Sequence, residues 1–127
     1  FAGSVIAEKL EAIVKNGFLN SRYKDFYDIY VLSEKYPFNY EELSNAVMDT
    51  FTNRKTPITM ETAAFSNEFL DDSMHQTRWN SFLKKKKAMI QVSMNDAMTR
   101  IKTFVTPLLT QTKTTVTEWD PNEGCWK

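Results

Sequence analysis

Two charged residues fall on the apolar faces of the first two predicted helices. On a helical wheel with about 100° per residue, Lys9 lies inside the apolar arc between Ile13 and Val5. Asp25 lies in the corresponding arc of the second helix. A charge that served only solubility would lie on the opposite face. Because a short turn joins the two helices and favours antiparallel packing, we expect Lys9 and Asp25 to face one shared cleft.

Asp25 belongs to a charged strip on the second helix. Arg22 precedes it by three residues and Asp28 follows it by three, and both spacings make helical neighbours. Lys24 is spaced to pair with Asp28. Structural roles are open to all of them: a lysine can extend its amine out of an apolar edge, an aspartate near a helix N-terminus interacts well with the dipole, and an exposed ion pair contributes little. The occurrence of two such residues on consecutive helices favours a functional cleft.

Other candidate groups point to structural roles. His75 has no Cys or His at metal-ligand spacing, so we interpret it as structural or solvent-facing. The basic run at residues 84–87 is interpreted as a solvated helix end, with contact to RNA or a partner as the alternative. Cys125 is the single cysteine, which excludes an internal disulfide and a cysteine metal site. The motifs therefore predict no metal ligand in this chain.

Helical periodicity positions these residues. The first helix runs from about Ser4 to Gly17, and Asn20 or Ser21 is expected to cap a second that reaches about residue 35. Asn39 with a Glu three residues later predicts the start of a third. Residues 59–70 predict a short helix and a turn, and further helices are predicted to begin at Ser73 and Ser93. The fold class is therefore all-α, a bundle of about five or six helices over residues 1–110, followed by a turn-rich tail over residues 111–127 that docks two Trp rings on the body.

Composition limits the function classes. Lys plus Arg is 16 and Asp plus Glu is 16, a net charge of zero, which argues mildly against a dedicated nucleic-acid module. No run approaches the roughly 20 apolar residues of a membrane span, and no secretory signal is visible. The lone cysteine suits a reducing compartment, so we expect a cytoplasmic protein. The chain has no initiating Met, and we expect it to be a fragment of a longer protein.

Several segments resemble the AbiEii/AbiGii-type nucleotidyltransferase toxin family. Residues 6–12 resemble its "AEK" helix, and residues 20–30 resemble its "R-x-KD-x-x-D" helix. Residues 50–57 are similar to a "TF-x-x-R-x-TP" segment, and residues 79–83 to a Trp-x-x-Phe-Leu stretch. The similarity spans about residues 4–110, and the first two motifs together carry most of its specificity.

The resemblance implies a nucleotidyltransferase fold and a toxin of a bacterial toxin–antitoxin or phage-defence system. Such a toxin transfers a nucleotide from an NTP to an RNA, with tRNA as one acceptor. Lys9 then matches the lysine of the third family motif and Asp25 the essential acid of the fourth, as catalytic residues. The accompanying positions, implied to bind substrate, are Glu8, Arg22, Lys24 and Asp28. The implied partners are an antitoxin protein and an RNA acceptor.

One family feature is missing from this sequence. The family pairs a Gly-Ser or Gly-Gly turn with two metal-binding carboxylates, whereas Gly3-Ser4 leads directly into a helix with no such acid pair. Mg²⁺ and NTP are therefore expected for a full-length parent only, with the N-terminal half supplying the metal site, and the fragment is expected to be inactive alone. The alternatives are a helical interaction module that binds a partner such as an antitoxin, and a plain helical structural domain.

Overall fold

The computed structural model describes residues 2–19, 21–87, 90–111 and 114–127. It confirms the all-α prediction: six α-helices and two short 3-10 helices, at Gly17–Leu19 and Ala63–Phe65, dominate the described residues. The α-helices are α1 (Ala2–Asn16), α2 (Tyr23–Lys35), α3 (Tyr40–Arg54), α4 (Asn67–Asp71), α5 (Ser73–Lys86) and α6 (Met94–Thr110). None of the described helices is long and apolar enough to cross a membrane.

Side-chain caps set most helix starts. Asn39 accepts a hydrogen bond from the Glu42 backbone amide at 2.9 Å, and Ser93 accepts one from the Asp96 amide at 3.1 Å, as their spacing predicts. The cap of α5 is Asp72 rather than Ser73, because its carboxylate accepts from the first amides of the helix. The helix α2 begins after Arg22 with no side-chain cap, so Ser21 is not its cap, and Asn20 lies outside the described residues.

The core forms where α1 packs against both α2 and α3, while α2 also packs against α6. Large apolar side chains from all four helices are fully buried there, and each contributes about 1.5–3 kcal/mol by leaving water. They include Ile6, Leu10, Ile13, Phe26, Ile29, Phe51, Ile101 and Phe104. The helix α1 thus has neighbours on two sides, which widens the buried part of its surface.

The C-terminal residues form two short strands, which the sequence analysis did not predict. The strands β1 (Phe38–Asn39), β2 (Glu118–Asp120) and β3 (Cys125–Trp126) make a small antiparallel sheet in that order. Trp119 is fully buried and donates its indole N–H to the Ser33 carbonyl at 2.8 Å. Trp126 stacks on Phe104 with ring centroids 5.7 Å apart. Both indoles are therefore fixed to the helical body.

Candidate functional site

Lys9 and Asp25 meet where α1 packs against α2. The Lys9 Nζ lies 3.5 Å from Asp25 Oδ1 and 3.0 Å from Asp28 Oδ2. The Lys9 side chain is 19% exposed and that of Asp25 only 4%. The juxtaposition expected from the helical wheels is present, and one ammonium bridges two carboxylates on successive turns of α2.

Two further cations complete this ion-pair cluster. Arg22 Nε lies 2.9 Å from Asp25 Oδ2, and Lys24 Nζ lies 2.6 Å from Asp28 Oδ2. The Asp25 Oδ2 nonetheless accepts no hydrogen bond of good geometry from the described residues. Each carboxylate therefore pairs with two cations, and in Asp28 a single oxygen contacts both lysines.

The pKa values of Lys9 and Asp28 follow from this geometry. Burial lowers the pKa of the Lys9 amine, but the hydrogen bond and charge of Asp28, together with Asp25, outweigh it and hold that pKa above its usual value. Burial raises the pKa of Asp28, but the hydrogen bonds and charges of Lys24 and Lys9 outweigh it and lower that pKa. Both groups are therefore charged at neutral pH.

A pocket of about 250 Å³ opens beside this cluster. It brings together four of the six site residues predicted from sequence, namely Glu8, Lys9, Arg22 and Asp25. Lys24 and Asp28 do not line it: Asp28 contacts the lining residue Lys9, and Lys24 contacts Asp28. The full lining, which we call the Lys9 pocket, is Val5, Glu8, Lys9, Ala12, Arg22, Asp25 and Arg54.

Arg54 was not among the predicted site residues. It is the last residue of α3, and its Nη1 donates to Glu11 Oε1 at 2.9 Å. The Thr56 hydroxyl donates to the other oxygen of the same carboxylate at 2.6 Å. The one sequence signal for Arg54 and Thr56 was the TF-x-x-R-x-TP segment, in which both residues occupy named positions.

Glu11 is a second residue of this region that the sequence analysis did not single out. The helical wheel places it on the solvated side of α1, beside Glu8 and Lys15, whereas in the structure it is 2% exposed. The cause is that α3 covers this side of α1. Although burial raises the pKa of Glu11, the hydrogen bonds from Thr56 and Arg54 and the Arg54 charge outweigh it and lower that pKa.

The chemistry open to the Lys9 pocket is that of anion recognition. Three cations, Lys9, Arg22 and Arg54, line a space with two carboxylates, and phosphate oxygens are the ligands that such cations bind best. Arg54 also lines an adjoining pocket of about 440 Å³, together with Lys15 and Lys55. No group of three or more His, Cys, Asp or Glu side chains suited to a metal ion occurs among the described residues. The described residues therefore do not fit the divalent cation that the family resemblance implies.

His75 is a structural residue in the interior. It is 1% exposed, its Nε2 donates to the Phe18 carbonyl at 2.9 Å, and its Nδ1 accepts from the Tyr23 hydroxyl at 2.8 Å. Its ring also stacks on Phe69 with centroids 3.8 Å apart. The lysines at residues 84–87 are exposed at the end of α5.

Comparison with known proteins identifies the chain at the level of a family. The model of a family described as "Nucleotidyl transferase AbiEii toxin, Type IV TA system" matches residues 2–98. Curated proteins give no match, and solved structures give none either. The matched range contains α1, α2 and α3 and hence every residue of the Lys9 pocket.

Proposed function

The chain belongs to the AbiEii nucleotidyl transferase toxin family of type IV toxin–antitoxin systems, and from this premise we propose that the Lys9 pocket is part of its nucleotide-transfer site. The reaction we propose moves a nucleotide from an NTP to an RNA acceptor such as tRNA. The observation that carries the proposal is the contact between Lys9 and Asp25, on two different helices, at the wall of a pocket lined by two further cations.

Lys9 is proposed to bind the phosphates of the NTP. An ammonium has three N–H donors, and the two carboxylates of Asp25 and Asp28 engage two of them. The remaining donor is available to a phosphate oxygen. When an acceptor hydroxyl attacks the α-phosphorus, the bond to pyrophosphate breaks and negative charge collects on the leaving group, which a fixed cation stabilises.

Asp25 is proposed to orient and deprotonate the hydroxyl of the RNA acceptor. Asp25 lines the pocket, and its buried Oδ2, beside Arg22, lacks a well-aligned hydrogen bond among the described residues. A carboxylate in that position can orient an acceptor hydroxyl and take its proton as the oxygen attacks phosphorus. The packed helices α1 and α2 hold both groups more rigidly than loops would.

The accompanying residues divide into two kinds. Glu8 and Arg22 line the pocket, where Arg22 suits phosphate and Glu8 suits a sugar hydroxyl or a base N–H. Asp28 pairs with Lys9, and Lys24 pairs with Asp28, outside the pocket lining, so we propose that Asp28, held by Lys24, orients the Lys9 amine.

The metal-dependent part of the reaction is proposed to need carboxylates from outside this chain. The sequence lacks the turn with two acids that the family uses, and the described residues offer no substitute. We therefore propose that these 127 residues alone do not transfer nucleotides, and that the complete toxin acts in the cytoplasm, where NTP and RNA are present, in phage defence. The family implies an antitoxin counterpart in general.

The decisive experiment removes the two groups in the toxin at its natural gene length. Lys9→Met and Asp25→Asn should each relieve growth arrest in bacteria. Each should also lower transfer of labelled nucleotide to RNA by about 10²–10³-fold, the usual effect of losing one catalytic group. Matched controls are Lys35→Met and Asp49→Asn, which are exposed and lie outside the pocket lining. Full activity of both site variants would reject the transfer site and favour the interaction module.

A further inference from the structure

We propose that Arg54 is a phosphate-binding residue of the Lys9 pocket and that Glu11 and Thr56 are positioning residues that hold its guanidinium there. The inference rests on the proposed function, since it adds a third cation to the same site. It assigns a role to a buried carboxylate that the proposed chemistry does not use.

The end of α3 explains how Arg54 reaches this place. Lys55 follows it in the left-handed conformation, with φ of 56°, and the Thr56 amide donates back to the Phe51 carbonyl at 3.0 Å. This helix-ending turn reverses the chain directly after Arg54. As a result, Arg54 and Thr56 both approach the same face of α1.

Glu11 fixes one edge of the guanidinium. A buried carboxylate is costly unless it is paired and hydrogen-bonded, and Glu11 meets this requirement through Arg54 Nη1 on one oxygen and the Thr56 hydroxyl on the other. With both oxygens engaged and only 2% of the residue exposed, the carboxylate is a rigid support. The Arg54 side chain therefore loses little further freedom when it binds a ligand.

The opposite edge of the guanidinium faces the pocket. Arg54 Nη2 lies 3.9 Å from Glu8 Oε1, which is too far for a hydrogen bond. The two side chains are 48% and 60% exposed, so this contact is loose. A phosphate oxygen can replace the Glu8 carboxylate, because arginine presents N–H donors in a planar fork that matches phosphate geometry.

Two glutamate substitutions test the proposal, because they are expected to change the affinity for phosphate in opposite directions. Inorganic tripolyphosphate, which has no sugar or base, is titrated into the protein by calorimetry at neutral pH. Glu8→Gln removes a competing carboxylate and should tighten binding about two- to fivefold. Glu11→Gln also removes a negative charge, yet it should weaken binding about fivefold because Arg54 loses its support. Tighter binding by both variants would show that net charge alone governs affinity and would overturn the positioning role.

Conservative variants separate positioning from folding. Arg54→Lys keeps a charge for Glu11 but loses the fork, and it should weaken tripolyphosphate binding about tenfold or more. Thr56→Val removes the hydroxyl donor and should resemble Glu11→Gln, whereas Thr56→Ser should bind like the unchanged protein. Because Arg54→Gln alone removes the ion-pair partner of the buried Glu11, it is made together with Glu11→Gln, and this double variant should bind as weakly as Arg54→Lys. Unchanged affinity in both Arg54 variants would overturn the assignment.

The same titration separates this inference from the proposed function. Lys9→Met should also weaken binding, and Lys35→Met should leave it unchanged. If Lys9→Met weakens binding and the Arg54 variants do not, the role of Arg54 is rejected while the transfer site stands. If only the Arg54 variants weaken tripolyphosphate binding, the phosphate-binding role of Arg54 is supported and that of Lys9 is rejected. If the unchanged protein does not bind tripolyphosphate, both assignments are overturned.

Discussion

The ammonium of Lys9 lies 3.5 Å from the carboxylate of Asp25, and the two partners differ in what remains when the other is removed. Without Asp25, Lys9 keeps Asp28 at 3.0 Å and Arg22 remains 62% exposed to water. Without Lys9, the ion-pair partner left to the buried Asp25 among the described residues is Arg22. Removing Lys9 should therefore lower the stability of the fold more than removing Asp25.

We predict that Lys9→Met destabilises the fold more than Asp25→Ala does. Removing Lys9 leaves a poorly solvated carboxylate and should cost about 1.5–3 kcal/mol, whereas removing Asp25 leaves no unpaired buried charge and should cost about 1 kcal/mol or less. Urea unfolding followed by circular dichroism gives both free energies of unfolding. Equal costs, or the reverse order, would mean that Arg22 alone satisfies Asp25.

Glu11 should make part of the stability dependent on acid pH. Its pKa is lowered from the ordinary 4.5 in the folded protein, so its contribution is fully present above 4.5 and is lost as the pH falls through the folded pKa. We predict that Glu11→Gln costs about 1–3 kcal/mol at pH 7 and progressively less below 4.5. Urea unfolding of both proteins across this range measures the difference. A difference that stays constant with pH would contradict the charged state of Glu11.

Much of the fold was predictable because local signals agree with it. The caps Asn39 and Ser93 are local hydrogen bonds between residues three apart, so their spacing alone predicts them. Lys9 and Asp25 were recognisable for a related reason. A helical wheel reports which residues share a face, and both charges stood among apolar neighbours on that face.

The remainder of the site depends on contacts that are distant in sequence. A helical wheel assumes one buried face, but α1 is covered by α3 as well as α2, so the burial of Glu11 could not be read from it. Arg54 is 43 residues from Glu11 along the chain, and no local pattern links them. The two-residue pairing of β1 with β2 is likewise set by long-range contact rather than by propensity.

Trp119 ties the C-terminal strands to the helical body, and we predict that Trp119→Ala costs about 3–5 kcal/mol. The ring is fully buried against Phe104, and its N–H is bonded to the carbonyl of the buried Ser33. Trp119→Phe keeps an aromatic ring but leaves that carbonyl without its donor, so it should cost less, about 1–3 kcal/mol. Thermal and urea unfolding measure both, with the exposed Glu123→Gln as control. A small effect of Trp119→Ala would mean that the tail only rests on the surface.

The buried pair of His75 and Tyr23 predicts a coupling between two substitutions. The carbonyl of Phe18 can only accept, so His75 Nε2 carries the hydrogen and Nδ1 accepts from the Tyr23 hydroxyl at 2.8 Å. Tyr23→Phe should therefore cost about 1–3 kcal/mol, because it leaves the buried Nδ1 without a donor. His75→Leu should cost at least as much, because it removes the acceptor of the Tyr23 hydroxyl and the donor to the Phe18 carbonyl together.

In the His75→Leu protein the same Tyr23→Phe change should cost less, since the hydrogen bond between the hydroxyl and His75 is already lost. The double-mutant cycle should give a coupling free energy of about 1 kcal/mol. Tyr36→Phe, at a half-exposed tyrosine, should instead be additive with His75→Leu. Growth arrest per folded molecule should survive His75→Leu, because His75 is buried and lies outside the Lys9 pocket. If Tyr23→Phe and His75→Leu are additive, the hydrogen bond between the two residues contributes nothing to stability. Loss of toxicity in a His75→Leu protein that still folds would show that His75 has a functional role.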